Sequence, residues 1–105
     1  MIKVLRTGPG SRELLSRPAT RAVRVGLTYL LPGQSVGRHT TGQNEEVIVV
    51  LRGRGVLRAD GGEHELSEGY VAYIGPETDH DVQNTGDGPM AYIYVVVPIA
   101  GQPAK

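Results

Sequence analysis

Short apolar runs rich in Val, Ile and Tyr alternate along the chain with clusters of Gly, Pro, Asp and Asn. Runs of this length, bounded by turn residues, predict strands at residues 2–6, 22–31, 45–51, 55–59, 64–66, 70–74, 80–84 and 90–97. Between them lie Pro32-Gly33, RGRG at 52–55, DGG at 60–62, GPETD at 75–79 and TGDGP at 85–89. Each reads as a turn for a physical reason: Gly supplies positive φ and Pro presets the first turn position. The one stretch with helical character is SRELLSR at residues 11–17, which has a serine at an N-cap position and which Pro18 halts within two turns.

Eight short strands leave sheet edges that must be hidden. Closing two sheets on each other does this, so the pattern predicts an all-β fold, a double-stranded β-helix or jelly-roll barrel. The 105 residues suit one domain. Its expected parts are an N-terminal strand and short turn over 1–20, a barrel over 21–98 and a tail over 99–105. A chain this short buries a modest core, and pairing with a second copy would add to it.

Composition narrows the range of functions. Eleven basic residues balance eleven acidic ones, so there is no electrostatic footprint for nucleic acid or an anionic membrane, and the expected partner is a small molecule. The absence of cysteine excludes disulfides, thiolate metal sites and a Cys nucleophile. The opening MIKVLRTGPGS lacks the apolar stretch of a secretory signal, and no window approaches the roughly 18 apolar residues of a membrane span. The expected location is cytoplasmic.

Candidate chemistry gathers at two places. His39 follows the Pro32-Gly33 turn, and Glu46 stands at the head of the most apolar run, EVIVVLRG. A reversal over residues 42–44 would return Glu46 beside His39 and Thr41. His80 opens a later strand, with Val82 and Asn84 on its face. Two imidazoles and a carboxylate inside a barrel make a three-ligand set that leaves positions open for water, substrate or oxygen. A carboxylate at the head of a Val/Ile-rich strand is costly to bury unpaired, which favours a cation beside it.

Gly33, His39, Glu46 and Gly53 fall in register with the first motif of the cupins, and Gly69, His80 and Asn84 with the second. The chain therefore resembles a small single-domain cupin. That resemblance implies the barrel fold, pairing into a homodimer through the sheets, and a metal held by His39, Glu46 and His80. Two departures stand out: Thr41 occupies the place of the family's second histidine, and Gly75, Pro76 and Glu77 replace its Pro-x-Gly. The metal sphere then reduces to two His and one Glu; the amide oxygen of Gln43 or Asn44 could fill the gap, but the stronger expectation is that Thr41 bonds a metal-bound water. Such a set suits one divalent transition ion: iron, manganese, nickel, zinc or copper.

The remaining polar and aromatic residues read more simply. His64 is expected on the surface, Glu45 facing solvent or paired with an arginine, Arg52, Arg54 and Arg58 around a hairpin turn, and Asn84 as a hydrogen-bonding strand end rather than a ligand. Tyr92 and Tyr94 share a strand face and are candidate pocket walls. The expected function is a metal-dependent enzyme acting on a small polar metabolite, by dioxygenase, isomerase, decarboxylase or lyase chemistry. No catalytic residue beyond the ligands is apparent. The alternative is a non-catalytic module binding a sugar or organic acid, and a third reading is an accessory barrel with a relic site.

Overall fold

The computed structural model describes residues 1–99. The strands are β1 (Arg12–Leu15), β2 (Arg24–Leu30), β3 (His39–Thr40), β4 (Asn44–Arg52), β5 (Arg54–Ala59), β6 (Gly62–Ser67), β7 (Val71–Ile74), β8 (Asp79–Asn84) and β9 (Met90–Pro98). Among the described residues there is no helix, and hence none long and apolar enough to cross a membrane. One antiparallel sheet has the order β1-β2-β9-β4-β7 and the other β3-β8-β5-β6. From β2 to β9 the chain passes repeatedly from one sheet to the other, which is the winding of a double-stranded β-helix. The fold expected from the sequence is the one observed.

Alternation along each strand supplies the core. Ile48 and Val50 on β4, Leu57 on β5, Val82 on β8 and Met90 on β9 point between the sheets and are buried. Gly53, in the tight β4–β5 connection, has a φ of 79°, and a Cβ there would collide with the Pro89 carbonyl. Its place in the first motif therefore has a steric cause.

Two N-terminal expectations are corrected. Residues 2–6 form no strand, and Met1, Ile2 and Val4 are exposed: the alternating pattern is present, but no neighbouring strand completes its ladder. Residues 11–17 form no helix. Instead, Arg12–Leu15 pairs with β2 as an edge strand, and Ser11 Oγ accepts a 2.8 Å hydrogen bond from the Tyr29 amide. A helix stopped by Pro18 within two turns cannot repay its nucleation, whereas the β2 edge offers a ladder already in place. The expected tail lies, from residue 100 onward, outside the described residues.

The larger sheet is apolar on both faces. Its outward positions include Val47 and Val49 on β4, Ile93 and Val95 on β9, and Val71 and Tyr73 on the edge strand β7, the last two being 67% and 63% exposed.

Candidate metal centre

His39 and His80 are cross-strand partners in the smaller sheet, while Glu46 reaches toward them from β4 in the larger one. The three side chains thus bridge the two sheets at one end of the barrel, and their ligand atoms lie within 4.8 Å of one another. The imidazole ring centres are 4.2 Å apart, tilted by 58°. The reversal that returns Glu46 to His39 is a turn closed by a 3.1 Å bond from the Asn44 amide to the Thr41 carbonyl, with Gly42 at φ 58°.

Backbone carbonyls fix both histidine tautomers. His39 Nδ1 lies 2.8 Å from the Gly37 carbonyl and His80 Nδ1 3.0 Å from the Thr78 carbonyl. A carbonyl only accepts, so each Nδ1 carries the proton and donates. The neutral ring then presents a lone pair at Nε2, the arrangement seen in ligating histidines whose second nitrogen is held by an outer partner.

His80 Nε2 is buried and has no hydrogen-bond partner. It lies 3.5 Å from Glu46 Oε1, too far for a good hydrogen bond. Two donors each bound at about 2.1 Å to a common tetrahedral ion would be about 3.4 Å apart. Burial raises the pKa of the Glu46 carboxyl, outweighing the electrostatic pull of His80, His39 and Arg24. A divalent ion would reverse that preference by supplying the counter-charge this carboxylate lacks. The orphaned nitrogen, the fixed tautomers and the buried carboxylate all fit a metal ion.

A cavity of about 300 Å³ opens in front of this group. Tyr92 and Tyr94 line it, together with the apolar side chains of Ile48, Val82 and Val96. Tyr92 is buried, and burial pushes its phenol up to about 12, so it is a donor and not a base. Asn44 also lines the cavity, with its amide nitrogen donating to the Thr41 carbonyl. Arg24 and Thr28 belong to the wall too, and no motif marks either of them.

Two expected neighbours of the metal have other work. Thr41 borders the cavity, but its hydroxyl donates to the Gly75 carbonyl at 2.6 Å and accepts the Thr78 amide at 3.1 Å. It clasps the turn before β4 to the loop before β8, and its proton is not available to a metal-bound water. Gln43 lies outside the cavity, its amide donating to Glu77 Oε1 at 3.2 Å. Glu77, where the family has glycine, adopts a φ of 54°, and its amide bonds the Gly42 carbonyl. The two loops are thus stitched together, which offsets the strain of a left-handed non-glycine residue.

His64 stands apart from the centre. It is exposed in the wall of a second cavity, of about 330 Å³, bounded by Leu57, Leu66 and Ile74. No second three-ligand group occurs among the described residues.

Comparison with known proteins identifies the family. The model of the family described as "Cupin domain" matches residues 26–97. The chain is 30% identical over 101 residues to the oxalate-binding protein of Thermotoga maritima, covering 91% of this chain and 84% of that one. A crystal structure from the same organism, titled a predicted oxalate decarboxylase, aligns with a TM-score of 0.79 at 27% identity, covering 85% and 79% of the two chains. A cupin protein from Bacteroides fragilis gives a TM-score of 0.83 at 24% identity, over 98% and 89%. The two-sheet winding, both motifs in register and the family match over most of the chain lead to one conclusion: this chain belongs to the cupin family.

Proposed function

We propose that His39, Glu46 and His80 hold one divalent first-row transition ion, and that the cavity before them presents a small polar metabolite to its open positions. The observation that carries this is the buried Nε2 of His80, which has no protein partner. When bound, the ion would supply Lewis-acid or redox chemistry. The chain's own groups have simpler tasks. His39 and His80 direct lone pairs inward, Ile48, Val82 and Val96 exclude water, and the Tyr92 phenol holds a proton at Oη against the ligand.

A second reading, a binding module that returns its ligand unchanged, draws on the same cavity. Its titratable side chains are the three ligands, Arg24 and two tyrosines, with no separate base among them. One relative bears the name oxalate-binding protein. Incubating metal-loaded protein with oxalate and other small acids, and following their concentration by chromatography, separates the readings. Loss of the acid over successive turnovers supports the enzyme. Stoichiometric retention of intact acid supports the module.

The apolar outer face of the larger sheet supports a homodimer through that face. Sedimentation of the wild-type chain is expected to give twice the monomer mass, and Val49→Asp to give the monomer.

A further inference from the structure

Arg24 lies on the inner face of β2, paired in register with Val96 and in line with Thr28, which faces Tyr92. It stands at the rim of the cavity that contains the metal ligands and also borders a shallower depression beside Arg17 and Pro98. Among the described residues no carboxylate lies within ion-pair distance of its guanidinium. Its Cζ lies 6.0 Å from the centre of the Tyr94 ring. Arg24 thus brings five N–H donors to the cavity mouth, and among the described residues no carboxylate is in ion-pair contact with them.

The wall beside it is shaped to match. Gly26, two residues along on the same face, has no side chain, and a Cβ there would overlap the Tyr94 phenol. Tyr94 therefore lies against β2 next to Arg24. Any larger residue at position 26 would push the ring into the cavity.

The charges point the same way. A divalent ion with two neutral imidazoles, one carboxylate and one guanidinium leaves the cavity with a surplus of two positive charges. In a partly dry cavity such a surplus is costly unless a ligand neutralises it. The cavity's volume of about 300 Å³ is at the low end for ligand sites, which favours a short molecule.

On the footing of the metal group proposed above, we infer that Arg24 anchors one end of a short dicarboxylate whose other end faces His39, Glu46 and His80. Arg24 is thereby the residue that selects dianions over neutral or singly charged ligands. The planar guanidinium fork suits a carboxylate, and a lysine at the same place keeps the charge but not the two-point geometry.

Titration calorimetry with malonate, acetate and the neutral malonamide tests this on wild type, Arg24→Gln and Arg24→Lys, with metal content measured on every sample. Arg24→Gln is expected to keep its metal and to bind malonate about tenfold or more weakly, the loss of a charge-assisted hydrogen-bonded pair. Arg24→Lys should fall between the two, and malonamide affinity should not change. Metal-loaded Arg24→Gln that binds malonate as tightly as wild type would overturn the inference, as would wild type that prefers acetate or malonamide. If wild type takes up no metal, the metal reading fails by itself. Malonate binding to that metal-free protein, lost in Arg24→Gln, would still uphold the anchor, and no binding would overturn both.

Discussion

His80 and Asn84 leave the same strand toward the same interior, four residues apart, and are 1% and 0% exposed. Their hydrogen bonding is opposite. Asn84 donates to the Leu30 and Gly88 carbonyls at 2.9 Å each and accepts the Gly86 amide at 2.8 Å, closing the loop that leads into β9. His80 is held at one nitrogen and bare at the other. A buried polar group with every partner satisfied serves the fold; one with a lone pair aimed into a cavity and left unpaired is poised for a ligand. Both residues are motif positions, and only geometry tells their roles apart.

The contrast is sharpest in stability. Asn84→Ala strands two carbonyls and an amide and should cost about 3 kcal/mol in urea unfolding, while the folded fraction keeps its metal content. His80→Leu removes an unsatisfied nitrogen, so the metal-free variant should unfold close to metal-free wild type. The difference should appear on adding metal. At a free ion concentration a hundredfold above Kd, wild type gains about 2.7 kcal/mol and His80→Leu gains nothing. Equal gains in both would erase the distinction.

Thr41 lies on the Asn84 side of this divide. Thr41→Val breaks the clasp to Gly75 and Thr78 and should cost about 1–2 kcal/mol, with metal content unchanged. A loss of metal at unchanged stability would place Thr41 with His80 instead.

The smallest effect concerns Tyr92. Burial lifts its phenol from 10.0 to about 12, so the neutral form is favoured in the fold. Its contribution to stability is complete below about pH 10 and is lost as pH rises through about 12. Absorbance titration should show a late-ionising tyrosine that disappears in Tyr92→Phe; ordinary titration of all tyrosines would contradict it.

Much of this was legible in the sequence, for reasons that differ by residue. Seven of the eight expected strands correspond to β2 and β4–β9, because turn glycines and alternating apolar positions are local signals. His39, Glu46 and His80 could be found because two motifs fix their spacing, and the fold supplies the convergence. Arg24 and Thr28 could not. Their inward direction is set by pairing with β9, some seventy residues away, and Leu27 between them, on the opposite face, is more deeply buried than either. With apolar residues on both faces of β2, alternation loses its power to say which side is inside. Gln43 stands beside a ligand position in the motif, yet a loop bond takes its amide away from the cavity, while Thr41 borders the cavity with its hydroxyl engaged by turn and loop. The edge strand Arg12–Leu15 was hidden because a two-turn helical pattern and a short strand look alike until a neighbour chooses between them.

The central claim is that the bare Nε2 of His80 completes a metal centre with His39 and Glu46. The most direct test is elemental analysis by plasma mass spectrometry of untagged wild type and His80→Leu, each reconstituted with the candidate ions and freed of excess. The account predicts close to one equivalent of a first-row transition ion in wild type and essentially none in the variant. Wild type without metal, or a variant that holds as much, would contradict it.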